Sequence, residues 1–413
     1  MNGCGNYEIP MLNCVIQRKW TFLVLISVVI GLTMLARWTL EARSQKRLHY
    51  ALEITGNTAR YDYEVSDTGA LVRDAELPGP AFVRDTLGID YVANLVMVYF
   101  RPGEATDGGL KLMAGLRHLE YLDGLHSHVT DDGLAYVRGF PRLKRLGLLN
   151  AQITDQGVSH IATLEDLREL TLTNTQVTGN GLELLKGLNK IRTLRLGFCE
   201  ISDSDLQSLS AFRDLEVLSL QGTGISDHGM SQLAALPELR ELNLAQTRVT
   251  SEGITALSKL QWLDSIRLND TIVDDEALQS LSTNKWLGTL VLNGTKISDE
   301  GLTFLQDLEN LMILNLSETS VSDVGLTSLA KVANLQELAL RGTRITDGGM
   351  KSIARMENLI LLDIRNTDVT DAGLMELKDM KQIREIWAHG SRVTLAGQQA
   401  FEDAVPHSGS IGL

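Results

Sequence analysis

Apolar residues recur along this chain in a unit of 24 residues, thirteen times between Leu95 and Thr394, without an insertion or a deletion. Within a unit the apolar spacing changes from two, which is typical of a strand, to three, which is typical of one helix face. The unit with Leu170 and Leu172 in its strand half and Leu182 in its helical half is a clear copy. Because each strand has the same place in its unit, successive strands must run parallel. The pattern predicts an α/β solenoid.

Polar residues mark the start of each predicted helix. Twelve units carry Thr or Ser there and one carries Asp274, and each of these side chains can accept a backbone N–H bond as an N-cap. Asp usually follows the cap, as at Asp299, where its charge would face the positive end of the helix dipole. Eleven units place Gly three residues after the cap, as at Gly325. Gly disfavours a helix by about 1 kcal/mol relative to Ala, so we expect a close backbone approach there.

The strand half, Leu-x-x-Leu-x-Leu-x-x-Thr as in residues 167–175, resembles the repeat of leucine-rich repeat proteins, with Thr at the usual Asn position. The Val/Ile-Thr-Asp-x-Gly-Leu half is similar to that of F-box leucine-rich-repeat adaptors. The resemblance spans all thirteen units. It implies a curved solenoid with a parallel sheet on the concave face and short helices on the convex side. No F-box-like segment is evident, so the ubiquitin-ligase role of those adaptors is not implied.

One apolar column is interrupted by a polar residue. The eighth unit has Asn284 where the other units carry Leu, Phe, Val or Met. Two interpretations stay open at this point: a locally exposed helix end, or a hinge or docking notch.

The amino-terminal part of the chain contains an uncharged run of seventeen residues, Trp20 to Ala36. This run predicts one transmembrane helix over residues 20–40, preceded by a short amino-terminal segment at residues 1–19. The protein is therefore expected to be a single-pass membrane protein. A cleaved signal peptide is the alternative, although its amino-terminal region would be unusually long. More basic residues follow the run than precede it, which favours a cytoplasmic solenoid and leaves export open.

Residues 41–94 depart from the repeat and predict a juxtamembrane helix and an amino-terminal cap that protects the first strand edge. This segment, with the anchor, is similar to membrane-anchored leucine-rich-repeat proteins of planctomycete bacteria. The solenoid is assigned to residues 95–404, and 405–413 are predicted to form a loose tail.

Composition narrows the possible partners. The net charge of −14 and a pI near 5.1 argue against nucleic acid, whose phosphates require a basic surface. Of the three cysteines, Cys4 and Cys14 precede the apolar run and Cys199 lies in the Thr column, so a disulfide within the solenoid is not expected.

The concave face consists of the strand side chains that alternate with the buried apolar ones, so residues 24 apart line up in rows. Two groups of residues are predicted to bind a partner protein. The carboxyl-terminal group combines aromatic and positively charged side chains, with an acidic or carboxylate-bearing partner expected because adjacent arginines repel each other. The amino-terminal group is apolar and aromatic. The candidates are Arg341, Arg365, Trp387 and His389, and Tyr99, Tyr121, Leu125 and Leu149.

No nucleotide-binding or metalloprotease motif is present, and we expect no enzyme activity, cofactor or small-molecule substrate. Asp123, His126 and His128 are the nearest approach to a metal site, but four well-placed ligands are not apparent. The sequence therefore predicts a non-enzymatic, membrane-tethered scaffold that binds a protein on its concave face. A structural or adhesive cell-envelope protein and an adaptor for a degradation or signalling enzyme are the alternatives.

Overall fold

A computed structural model of the chain describes residues 9–66, 68–73, 75–79, 81–405 and 411–412. Its strands form one sheet in chain order. The strands are β1 Thr58–Tyr61, β2 Leu95–Phe100, β3 Tyr121–Gly124, β4 Arg145–Gly147, β5 Glu169–Thr171, β6 Thr193–Arg195, β7 Val217–Ser219, β8 Glu241–Asn243, β9 Ser265–Arg267, β10 Thr289–Val291, β11 Ile313–Asn315, β12 Glu337–Ala339, β13 Leu361–Asp363, β14 Glu385–Trp387 and β15 Ile411–Gly412.

One long helix, α1, precedes the sheet, and short helices follow most of the strands. The α-helices are α1 Ile9–Ile54, α2 Ala81–Leu87, α3 Asp107–Met113, α4 Asp131–Leu134, α5 Asp155–Ile161, α6 Gly179–Leu184, α7 Met230–Leu233, α8 Ser251–Ile254, α9 Asp275–Leu281, α10 Asp323–Leu329, α11 Asp347–Ile353, α12 Asp371–Met375 and α13 Leu395–Ala404. The 3-10 helices are Asp62–Glu64, Ile89–Tyr91, Ala135–Gly139, Leu185–Gly187, Asp203–Ala211, Asp227–Gly229, Thr255–Lys259 and Gly301–Asp307.

The parallel register follows the 24-residue repeat without a slip. Ile266, Leu290 and Leu314 are direct partners on neighbouring strands, and all three side chains are buried. Equivalent residues from every unit join one continuous apolar core. The predicted α/β solenoid with a parallel sheet and short helices is confirmed.

Both ends of the sheet are covered. β1 pairs antiparallel with β2, and the buried side chain of Gln45 in α1 accepts a bond from the Leu95 backbone N–H at 2.8 Å. At the other end β15 pairs parallel with β14, with Trp387 opposite Gly412. The tail predicted to be loose from 405 therefore contributes a strand at 411–412. These two pairings satisfy the outward N–H and C=O groups of β2 and β14, the outermost strands of the repeat.

Most cap residues are bonded to the Asp of the preceding unit, which joins neighbouring units. The backbone N–H of Ser322 donates to Oδ1 of Asp299 at 2.7 Å, and its hydroxyl donates to Oδ2 at 2.5 Å. Ten such Asp–cap pairs occur among the described residues. The Asp residues that the sequence assigns to the helix dipole are therefore also links between units.

The two internal exceptions to this Asp pattern have their own solutions. Ser251 replaces the Asp, and its hydroxyl donates at 2.6 Å to Asp274, which is the cap of the next unit. Gly179 also replaces an Asp, and there Ser202 is bonded by Asp205 of its own unit, with a hydroxyl-to-carboxylate distance of 2.7 Å. A carboxylate is thus supplied in both units.

The recurrent Gly gives this carboxylate its space. A Cβ built on Gly325 would lie 2.5 Å from Oδ1 of Asp299. Real Cβ atoms do not approach an oxygen so closely, and the same contact recurs at the equivalent glycines. The close approach expected from the sequence is therefore present, and the approaching group is the Asp side chain of the preceding unit.

Asn284 is neither an exposed helix end nor a notch. Its side chain is buried, and its amide nitrogen donates to the carbonyls of Leu257 and Leu260 at 3.2 and 2.8 Å. The residue links the end of one unit to the preceding one.

The prediction of a transmembrane helix over residues 20–40, and with it a single-pass membrane localisation, is wrong. The uncharged run belongs to α1, which continues through charged residues to Ile54 and buries Ala42, Gln45 and Leu52. Over the part of the chain that the structure describes, no helix combines the length and the apolar character that crossing a bilayer requires.

Candidate functional site

A groove with a volume of about 770 Å³ lies on the concave face of the carboxyl-terminal half of the solenoid. Its lining side chains come from β8 to β14 and from the turns that flank these strands. Strand alternation points them away from the core, and the 24-residue register places them in rows. The groove is therefore a preformed surface of a rigid sheet.

Arg365, Asp363 and Trp387 form a rigid unit at the carboxyl-terminal end of the groove. The guanidinium of Arg365 donates twice to Asp363, from Nε to Oδ1 at 2.8 Å and from Nη2 to Oδ2 at 2.6 Å. The guanidinium carbon of Arg365 lies 5.0 Å from the centre of the Trp387 ring. Asp363 is buried, and its hydrogen bonds raise the pKa of Arg365 above the usual value. These contacts fix the exposed edge of Trp387 and the cation beside it.

Arg341 and His389 lie in the row predicted from the sequence, in the turns after β12 and β14, on either side of Arg365 in the turn after β13, and both are exposed. Nε of Arg341 lies 3.6 Å from Oε1 of Glu318, and both side chains are about half exposed. The row thus exists, but each of its two arginines already faces a carboxylate. The mutual repulsion on which the sequence prediction of an acidic partner depends is therefore relieved within the chain.

The chain itself covers much of the amino-terminal group. Residues 64–66 and 68–72 form a hairpin, here called the amino-terminal hairpin, in which Val65 bridges Leu71. Gly69 lies against the ring of Tyr121, which is only 3% exposed, and Met97 is buried in the same small cluster. Tyr99 packs at the border of this cluster. Sequence periodicity places these side chains on the open concave face, whereas the structure covers them.

Leu125 and Leu149 lie beyond the amino-terminal hairpin. Leu125 is 42% exposed and Leu149 is half-buried. They leave only a small apolar area open at this end of the concave face.

Asp123 lies beside the covered cluster and is poorly satisfied. Its Oδ1 is buried without a hydrogen-bond partner among the described residues. Burial raises the pKa of this carboxyl, and the nearby charge of Arg145 acts in the opposite direction. The fold therefore favours the protonated form of Asp123 more than water does.

The three residues considered for a metal do not converge. His128 bonds the Gly103 carbonyl through Nδ1 at 3.0 Å, and His126 faces Asn150. Within the described residues, no three His, Cys, Asp or Glu side chains are grouped closely enough to hold a metal ion.

Sequence reasoning missed an exposed aromatic pair, Trp262 and Trp286, in the turns before β9 and β10. Their ring centres are 6.0 Å apart. A signal was available, because the two residues are 24 positions apart and the repeat must bring them together. It was missed because only strand positions were considered for the concave face.

Thirteen strand–turn–helix units around one core define an α/β solenoid, and the comparisons with known proteins specify its family. The leucine-rich repeat model matches residues 187–210, 236–258, 283–305 and 333–354. The recognition of leucine-rich repeats from the sequence is therefore confirmed, and the chain has the fold of leucine-rich repeat proteins. A comparison of the sequence with curated proteins finds no match.

Two solved structures illustrate the likeness of the fold. An internalin from Listeria monocytogenes superposes with a TM-score of 0.57 at 21% identity, covering 78% of this chain and 86% of the internalin. A leucine-rich repeat protein of Leptospira interrogans gives 0.54 at 17% identity, covering 82% of this chain and 93% of that one. At these identities the comparison shows the fold, which commonly serves as a scaffold for protein–protein interaction.

Proposed function

We propose that this protein binds another protein along its concave face, with the contact centred on the groove between β8 and β14. The supporting observation is the Asp363–Arg365–Trp387 unit, in which a Trp and an Arg are held in place before any partner arrives. Trp and Arg are enriched among the residues that contribute most to binding energy, and side chains that are already ordered lose less entropy on binding. We expect the chain to act by recognition, without catalysis.

A photo-crosslinking amino acid at position 387 tests the proposal, with the same group at the exposed helical position Val324 as a matched control. A partner should crosslink from position 387 and not from 324. For the purified partner, Trp387→Ala should lower affinity by about tenfold or more, the size of an interface hot spot, while Val324→Ala leaves it unchanged. Equal affinity of the wild type and Trp387→Ala would refute the groove as the contact.

The acidity of the partner stays a prediction, and the geometry gives it little support. Asp363 compensates Arg365 fully, and Glu318 compensates Arg341 in part. An acidic partner would have to compete with these carboxylates for the same guanidinium groups. The remaining charges of the groove are three carboxylates and one arginine, so their net sign is negative.

A further inference from the structure

Trp262 and Trp286 form an exposed pair in the turns that lead into β9 and β10, two strands whose residues line the groove. Their exposed fractions are 44% and 56%, and their rings are tilted by 36°. The equivalent positions of neighbouring units carry Glu238, Asn310 and Asn334. Two adjacent, about half-exposed Trp residues in a row that is otherwise polar indicate a contact surface, because Trp is strongly enriched where proteins bind.

The pair already accommodates one cation. The guanidinium carbon of Arg240 lies 5.9 Å from the centre of the Trp262 ring. Among the described residues no cation is placed over Trp286 in the same way. The negative face of an indole ring attracts Arg and Lys, so the free ring of Trp286 is suited to a cation from outside.

The groove beside the pair has an excess of negative charge. Five carboxylates and three guanidinium groups line it, and pairing Arg341 with Glu318 and Arg365 with Asp363 leaves three carboxylates and one arginine. The three carboxylates belong to Glu241, Asp264 and Glu337, all exposed and without a side-chain hydrogen bond or ion pair among the described residues. The remaining arginine is Arg267.

Asp264 connects the groove to the tryptophan pair. It follows Trp262 by two residues, and a Cβ built on Gly288 would lie 2.8 Å from its Oδ1. The carboxylate therefore leans over the next strand, towards the unit that carries Trp286. The indole rings and the carboxylate of Asp264 thus belong to the same two neighbouring units. The basic side chains of this region are Arg240, over Trp262, and Arg267 in the groove.

We propose that Trp262, Trp286, Asp264, Glu241 and Glu337 form one surface that takes an extended, Arg- or Lys-bearing segment of the partner protein. The inference rests on the proposed function, because both use the groove. The net charge of −14 supports it, since an acidic protein attracts basic segments over long range. Glu241 and Glu337 are four strands apart, roughly 19 Å at the usual strand spacing, so an extended segment of about six residues spans them.

The probe is a synthetic peptide of about eight residues that alternates Arg with Gly, and the matched control replaces each Arg by Glu. Affinities are measured by fluorescence anisotropy of labelled peptides with the full chain, at low and at high salt. We expect the Arg peptide to bind at least about tenfold more tightly than the Glu peptide at low salt, and high salt to reduce this difference.

Two sets of variants locate the binding. Replacing both tryptophans by Ala, or changing Glu241, Asp264 and Glu337 to their amides, should each lower the affinity for the Arg peptide by about fivefold or more. Val324→Ala and Glu276→Gln, exposed changes on the helical side, serve as matched controls and should have no effect. Circular dichroism and thermal melting verify that every variant is folded.

Equal affinity for the two peptides, a preference for the Glu peptide, or binding that survives both sets of variants would overturn the inference. Sedimentation of the wild type provides a further test. A dimer that dissociates when the tryptophans are replaced would show that a second copy of the chain covers this surface, which also contradicts the inference. If the Arg peptide binds at the tryptophan pair but Trp387→Ala leaves partner affinity unchanged, only the proposed function fails.

Discussion

Asn284 and Asp123 are both polar residues in largely buried surroundings, and the fold satisfies them to different degrees. Asn284 donates two hydrogen bonds to carbonyls of the preceding unit. In both residues Oδ1 is buried without a hydrogen-bond partner among the described residues, but only Asp123 is a titratable group, and burial raises its pKa. Removing these two groups should therefore change stability in opposite directions.

Asn284→Leu restores the apolar column but removes one hydrogen bond from each of two carbonyls, which keep only their backbone bonds from Leu260 and Leu263. A hydrogen bond contributes about 0.5–1.5 kcal/mol net, so we expect the loss of two bonds to lower the free energy of unfolding in urea. Asn180→Leu, on an exposed helical position, is the matched control and should have little effect. A clear rise in stability for Asn284→Leu would show that the two bonds contribute less than apolar burial does.

Asp123→Asn should stabilise the protein near neutral pH. Because the folded-state pKa of Asp123 is raised, folding favours its protonated form, and the stability associated with this group is lost as pH rises through the folded pKa. The amide imitates the neutral form, so its advantage should grow with pH above about 3.9, the unfolded value. Urea unfolding of both proteins between about pH 4 and about pH 7 measures this. An advantage that is independent of pH would contradict it.

Each link between neighbouring units depends on three groups: an Asp carboxylate, the hydroxyl of the next cap residue, and a Gly whose lack of a Cβ leaves space for the carboxylate. Asp299, Ser322 and Gly325 show the arrangement, with the Asp in one unit and the other two residues in the next. Because Gly325 leaves space for Asp299, the two positions should be energetically coupled.

A double-mutant cycle tests this coupling. Gly325→Ala should destabilise the protein, because its Cβ would displace the Asp299 carboxylate from Ser322. In an Asp299→Ala background the same change should cost less, with a coupling energy of about 1 kcal/mol or more. Gly187→Ala is the control, because a Cβ there meets nothing within 4 Å. Additive effects at positions 299 and 325 would mean that the requirement for Gly at position 325 does not arise from the Asp299 carboxylate.

Periodicity predicts those features that each unit repeats. Strand register, helix starts and the buried column all follow from the 24-residue spacing. The pairing of Arg365 with Asp363 was also accessible, because residues two apart share one face of a strand. The covering of Tyr121 could not be foreseen, since the amino-terminal hairpin lies outside the repeat and no register relates it to the strands. The Asp–cap links were obscured because the partners are 23 residues apart in sequence.

At the scale of the whole molecule, one sheet runs through all units and is covered at both ends. The carboxyl-terminal cover is small, since β15 contributes only two residues against β14. Loss of this cover would expose a strand edge that can pair with another chain.

Deleting residues 406–413 should therefore promote self-association. We expect concentration-dependent growth in particle mass by light scattering, with little loss of helical or strand signal in circular dichroism. Deleting Leu413 alone is the control, because β15 ends at Gly412. A truncated chain that stays monomeric would show that the β14 edge needs no cover.

The Ser251–Asp274 exchange has a consequence for how such a chain can change its length. Unequal recombination adds or removes whole units, and most junctions would accept this because each offers the same Asp to the next hydroxyl. A crossover between Ser251 and Asp274 would instead bring either two hydroxyls or two carboxylates together, and like charges in such proximity repel. The two units that carry Ser251 and Asp274 are therefore expected to be inherited together, while the units around them are gained and lost.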